Sequence, residues 1–193
     1  MESQNLKKIH LIATGGTIAS EARSRVSTEG YKPSVIPVEE LVAQIPELSE
    51  IAVMSSEQIF LKPSSAITDS DLFDLSARIN ELLASDDCDG IIVGFPIYFS
   101  GVAGQGKAFL DRLYPMMDAN FIPRHPGKKV IAVYAQGDPR EQAFAPAINS
   151  ANYVFRMCGW KLIDSILCAG TSSPDFIIPD NLINRAKTAA EKL

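Results

Sequence analysis

Apolar runs of strand length alternate along the chain with polar stretches in which apolar residues recur every three or four positions. That alternation predicts an α/β domain built on a parallel sheet. The runs are KIHLIATGG (8–16), IAVMSSEQIF (51–60), GIIVGF (90–95), KVIAVYAQG (129–137) and KLIDSILCAG (161–170). Three of them end in Gly, where a chain leaving a buried strand turns toward a helix.

Helical periods fall between the runs. Pro37 with Glu39 and Glu40 makes a first turn, and Val38, Leu41, Val42 and Ile45 share a face until Pro46. Thr68 caps a second helix in which Leu72, Leu75, Ile79 and Leu82 line one side. A third helix is predicted from about Gln105 to Met117, a fourth from about Arg140 to Cys158 before Gly159, and a fifth from Asp180 onward. Pro146 requires the fourth to start late or to bend. No linker divides the chain, so the expectation is one domain over residues 1–193, a doubly wound five-stranded parallel sheet in order 2-1-3-4-5. In such sheets ligands bind beyond the carboxyl ends of the strands, near the switch between strands 1 and 3. The loops that matter are then TGGTIAS (14–20), FPIYFSGVAG (95–104) and AQGDPRE (135–141).

Composition narrows the classes. The net charge is −5, with Lys and Arg scattered, so no basic stripe is offered to nucleic acid or an anionic membrane. No apolar run approaches the roughly 18–20 residues of a membrane span. Cys88, Cys158 and Cys168 are too few and too far apart for a disulfide framework or a metal knuckle, and read as buried thiols of a cytoplasmic protein. No metal site and no secretion signal are expected. His10 in the first strand and His125 in a Pro-rich loop read as structural. Asp111 and Arg112 read as an exposed or partner-facing helix end, and Trp160 as a packing residue.

Two family resemblances divide the chain. Residues 94–113 (GFPIYFSGVAGQGKAFLDRL) and 133–139 (VYAQGDP) resemble the flavodoxin-like FMN reductases, and in particular the flavodoxin-like part of iron-sulfur flavoproteins. The resemblance implies that Pro96, Ile97, Tyr98, Phe99, Ser100 and Gly101 lie against the flavin ring and its ribityl chain, with Gln136, Gly137 and Asp138 along another edge. Close backbone approach at Gly and aromatic stacking are physically consistent with this. FMN is then the implied cofactor and NADPH the implied hydride source. The Cys cluster of an iron-sulfur centre is missing, so no such centre is expected.

The first half resembles the N-terminal domain of bacterial type L-asparaginases, through KIHLIATGGTIAS, EGYKPS, VEELVAQIPEL, EQIFLKPSSAIT and INELLASDDCDGIIV. That resemblance implies Thr17 as the nucleophile, Tyr31 as the lid tyrosine and Ser64 as the serine that receives the substrate carboxylate. Where the family continues with THGTD, this chain has GFPIYF, so the second catalytic group is not retained. A flavin phosphate also loses its usual seat, because the segment SEARSRVSTEGYKPSVI (20–36) separates the first strand from the next helix. Thr14, Gly15, Gly16, Thr17 and Ser20, with Arg23 or Arg25, remain to receive an anion.

The two resemblances together imply a recombined protein, an engineered chimera or a natural recombinant, asparaginase-like over 1–93 and flavoprotein-like over 94–193. The expected function is a partial FMN site with vestigial reductase activity. The alternatives are an inert folded scaffold and an asparaginase-class amidohydrolase using Thr17. Flavin and NADPH are the expected small-molecule partners, and the expected state is a monomer or homodimer.

Overall fold

The computed structural model describes residues 7–15, 36–44, 46, 49, 52–63, 66–85, 90–173 and 175–193. They fall into two units, Met1–Leu75 and Ser76–Leu193.

In the first unit, β1 (Lys7–Gly15) pairs in parallel with β2 (Ala52–Lys62), with α1 (Val38–Ala43) between them in sequence. Register runs from Lys7 opposite Ala52 to Ala13 opposite Gln58, then slips, because Gly15 lies opposite Lys62. β2 thus carries two extra residues where β1 ends. Gly15 takes φ +84° there, a conformation that a side chain would strain.

The helix α2 (Asp69–Ala84) opens with the cap expected at Thr68. The Asp71 carboxylate accepts the Thr68 backbone N–H and hydroxyl, each at 2.8 Å, and the Asp71 N–H reaches back to the Thr68 hydroxyl at 3.3 Å. This is a capping box with Asp at the third helical position. Lys62 Nζ joins the same carboxylate at 2.7 and 2.8 Å. The hydrogen bond from Lys62, then those from Thr68, hold the Asp71 carboxyl down at about 2 from an ordinary 3.8. A folded-state value below the unfolded one means stability that is complete above about pH 4–5 and is lost as pH falls through about 2. Asp71→Asn is therefore expected to lower the urea midpoint at pH 6. The difference from the parent should shrink steadily as unfolding is repeated at pH 4, 3 and 2; a difference independent of pH would show that the charge of Asp71 contributes nothing.

In the second unit, β3 (Gly90–Tyr98), β4 (Gly101–Val102), β5 (Lys129–Gln136) and β6 (Lys161–Ala169) form a sheet in order β4-β3-β5-β6. The ladders β3–β5 and β5–β6 are parallel, and β4 is antiparallel to β3. β5 is central and buried on both faces, as its unbroken apolar sequence requires. On one face Val130, Ala132 and Tyr134 meet Ile148, Ala151 and Phe155 of α4 (Ala145–Met157), a stripe at helical spacing. Ile131 belongs to a smaller cluster with Ile166 of β6 and Ala189 of α5 (Asp180–Ala190).

The larger core is aromatic. Phe155 stacks on Trp160 with centroids 6.1 Å apart, and Phe95 stacks on Tyr134 at 5.6 Å. Trp160, a packing residue as expected, is 3% exposed and donates its indole N–H to the His125 carbonyl at 3.1 Å. Tyr134 donates to Asn152 Oδ1 at 2.8 Å, and Asn152 Nδ2 donates to Ser165 Oγ at 2.9 Å. Burial pushes the Tyr134 phenol up, so it remains a neutral donor.

Two expectations are corrected, the sheet and the end of the third helix. The described strands form a two-stranded and a four-stranded sheet, not one five-stranded parallel sheet in order 2-1-3-4-5. Among the described residues, β1 finds its ladder partner only in β2, and β3 takes β5 and the two-residue β4. The third helix, α3 (Gly104–Arg112), stops five residues early. Pro115 turns the rest into a 3₁₀ turn, Tyr114–Met116, because proline has no N–H to continue the α-helical ladder. The fourth helix starts late, as Pro146 requires: it begins at Ala145, with Pro146 in its first turn, where its missing N–H costs nothing. Its end follows the prediction: Gly159 takes φ +71°, and Trp160 N–H reaches back to the Phe155 carbonyl at 3.0 Å.

Of the three thiols, Cys158 is buried, which pushes its pKa up, and Cys168 is half-buried. Cys88 lies outside the described residues.

Candidate functional site

The TGGT segment begins on β1, and its strand end is held by one side chain. Gln58 Nε2 donates to the carbonyls of Ala13 (3.1 Å) and Phe60 (2.6 Å), and Gln58 Oε1 accepts the Val38 N–H at 3.1 Å. One amide thus pins β1 where it leaves the sheet, closes the β2 bulge and satisfies an open N–H in the first turn of α1. Val38 itself is fully buried. This role of Gln58 was not foreseen from sequence; a polar amide in the run IAVMSSEQIF was its only signal. Gln58→Ala leaves three backbone groups short of a partner, each worth about 1–3 kcal/mol if it stays dry. Hydrogen exchange of the Val38 amide is expected to quicken by roughly tenfold or more. Unchanged protection would show that the bracket holds nothing.

Thr14 and Gly15 lie at the carboxyl end of β1. Gly16, Thr17, Ser20, Arg23, Arg25, Tyr31 and Ser64 lie outside the described residues.

The second group of predicted residues falls in the Ser76–Leu193 unit, at the carboxyl ends of β3 and β5. Pro96, Ile97 and Tyr98 are the last residues of β3, and Pro96 pairs with Ala135 of β5. Phe99 and Ser100 form a two-residue hairpin turn to Gly101, with φ +47° and +64°. Both values are strained for residues with side chains, and they hold Phe99 fully in solvent. Ile97 is buried and Tyr98 is 65% exposed.

Gln136 is 1% exposed, and its Nε2 donates to the carbonyls of Asp138 (3.0 Å) and Arg140 (2.8 Å). Its own carbonyl accepts both the N–H and the hydroxyl of Thr171. Gln136 is therefore a structural brace between the 136–140 loop and the turn after β6. Gly137 lies so close to Ser172 that a Cβ would sit 2.1 Å from its hydroxyl. Arg140 holds Asp138 at 2.7 Å and its carboxyl down at about 2, through the side-chain hydrogen bond first and the Arg140 backbone N–H second.

A hollow of about 440 Å³ lies between β6 and α5, lined among others by Asp164, Asn181, Arg185 and Lys192. Its strongest charges are spent on each other, since Arg185 grips Asp164 through two nitrogens at 2.6 and 2.8 Å. Asp111, expected at an exposed helix end, pairs there with Lys107 one turn earlier. Among the described residues no group of three His, Cys, Asp or Glu is placed to hold a metal ion, and no helix is long and apolar enough to cross a membrane.

Comparison with known proteins bears on the two halves unequally. Residues 8–94 match the family described as Asparaginase, N-terminal. The chain is 48% identical over 92 residues to L-asparaginase 2 of Bacillus subtilis (strain 168), a match covering 48% of this chain and 24% of that one. A crystal structure of a probable cytoplasmic L-asparaginase from Campylobacter jejuni is 26% identical, with TM-score 0.50 over 67% of this chain and 35% of that one. The chain spans about a quarter of the length of the curated relatives it matches. An apo NADH:FMN oxidoreductase structure superposes with TM-score 0.52 over 95% of this chain and 86% of that one. At 20% identity that likeness is of fold alone.

The asparaginase-like reading of the N-terminal half is thus supported. The expected function, a flavodoxin-like chimera with an FMN site and vestigial oxidoreductase activity, is corrected: the family match and the 48% identity point to the asparaginase class. Among the described residues, the first helix after the end of β1 at Gly15 is α1, which opens at Val38.

Proposed function

We propose that this chain carries the nucleophile-bearing half of an asparaginase-class amide-hydrolysing site, with Thr17 as the nucleophile. The observation that carries the reading is the family match over residues 8–94, which takes in TGGT at 14–17. The Thr17 hydroxyl oxygen attacks the side-chain carboxamide carbon of L-asparagine, and the hydroxyl proton ends on the departing ammonia. Water then cleaves the acyl-threonine to L-aspartate, restoring the hydroxyl. The Gln58 bracket supports this reading, since it holds the strand end from which TGGT departs.

An alcohol is a poor nucleophile unless a base takes its proton. GFPIYF stands at 94–99 where the resemblance calls for THGTD, so turnover is expected to be slow. The test is ammonium release from L-asparagine, with L-glutamine in parallel, at high protein concentration. Amide resonances of Thr14 and Gly15 are followed in the same titration. Saturable release with shifts at those amides is the expected result. Release no faster than the protein-free control, with no shift at either amide, overturns the reading.

A further inference from the structure

His10, read from sequence as structural, is part of a linked group on one face of the β1–β2 pair. Its Nδ1 lies 2.8 Å from Ser55 Oγ and its Nε2 lies 3.1 Å from Glu57 Oε1. The placement follows from register. His10 is directly opposite Ser55 across the parallel ladder, and Glu57 is two residues further along β2, on the same face.

The order of groups is hydroxyl, imidazole, carboxylate. A carboxylate at Nε2 favours the tautomer with the proton on that nitrogen, which leaves Nδ1 as an acceptor toward the hydroxyl. The same arrangement, with the two ring nitrogens exchanged, activates serine nucleophiles on unrelated folds, where it is recognised by geometry rather than by sequence order. Access is also met: the His10 and Glu57 side chains are 28% and 29% exposed, and Ser55 is exposed. Among the described residues, the Ser55 hydroxyl also reaches the Ile9 carbonyl, at the longer distance of 3.5 Å.

We propose that Ser55 is an activated nucleophile, with His10 as its general base and Glu57 as the residue that orients the ring, and that it takes small, unhindered carboxylic esters. Ser55 is exposed and the His10 and Glu57 side chains are partly so, which suits a small acyl group. In the forward step Ser55 Oγ bonds to the acyl carbon while its proton passes to His10 Nδ1. The imidazolium is stabilised by Glu57, and its new proton goes to the leaving oxygen as the C–O bond breaks. Water, deprotonated by His10, then hydrolyses the acyl-serine; the products are a carboxylic acid and an alcohol, and the three side chains return to their starting state. This activity is separate from the asparagine chemistry assigned to Thr17.

The test uses the full chain with a fluorophosphonate, which traps an activated serine by losing fluoride, and with p-nitrophenyl acetate for turnover. Mass mapping of the adduct separates Ser55 from Thr17. The expected result is a single phosphonyl group on Ser55, with labelling and acetate release at least tenfold slower in His10→Gln and in Glu57→Gln. Amide exchange across the β1–β2 ladder in each variant establishes that the strands remain paired; Glu57→Gln preserves shape if His10→Gln disturbs packing. An adduct only at Thr17 or at lysines, no adduct at all, or Ser55 labelling indifferent to both variants overturns the proposal.

Discussion

Phe155→Ala is expected to lower the unfolding free energy of the Ser76–Leu193 unit by about 3–5 kcal/mol, the usual cost of deleting a buried phenyl ring. Phe155 is fully buried, stacked on Trp160 with centroids 6.1 Å apart and tilted against Phe95 at 6.4 Å. Phe95 in turn stacks on Tyr134, so removal of one ring opens a gap in a continuous aromatic layer. Its neighbours cannot readily close that gap, because Tyr134 is tied to Asn152 and the Trp160 indole to the His125 carbonyl. Urea unfolding followed by the fluorescence of Trp160, the single tryptophan, reads the loss directly. Tyr153→Ala, two residues away on the same helix but 59% exposed, is expected to stay within about 0.5 kcal/mol of the parent. Phe155→Leu keeps most of the volume and covers the case in which the alanine variant does not fold. A cost below about 1.5 kcal/mol for Phe155→Ala would mean that the site collapses freely and the aromatic layer is not the core of this unit.

Thr17→Ala is expected to reduce L-asparagine hydrolysis by at least about 10³-fold, or roughly 4 kcal/mol of transition-state stabilisation. The magnitude follows from the role: without the hydroxyl no acyl intermediate forms, and what remains is whatever acceleration binding alone provides. Thr17→Ser keeps a primary hydroxyl in place and is expected to stay within about tenfold of the parent. Because the lost interaction belongs to the reacting atoms, kcat should fall while KM changes little. Ammonium release at saturating L-asparagine, compared among the three proteins, decides it. An alanine variant as fast as the parent would place the nucleophile elsewhere.

Much of the local structure was legible because it is local. Thr68 and Asp71 stand three residues apart, and the capping box they make needs nothing beyond the first helical turn. Pro146 and Gly159 bound the fourth helix through backbone geometry that each residue carries with it. The TGGT segment, from which the proposed chemistry starts, is contiguous and so can be read from sequence alone.

What sequence missed involves partners far apart in the chain. Gln58 reaches Ala13 across 45 positions, and His10 meets Ser55 across the same separation. Neither pair leaves a periodic trace. The two-residue β4 exists because the strained turn at Phe99 and Ser100 folds Gly101 and Val102 back on β3, and a strand so short has no pattern of its own.

The amino-acid sequence by itself determined the five longer strands, the helices that alternate with them and the Thr68 cap, and the segment from which the proposed chemistry departs. Those features rest on side-chain period, turn residues and backbone preference, all settled within a few neighbouring residues. Only the tertiary structure decided which strands share a ladder, how Gln58 ties the end of β1, and that a serine, a histidine and a glutamate meet on one sheet face. Each of these depends on register, and register is set by the whole pairing of two strands rather than by the residues it brings together.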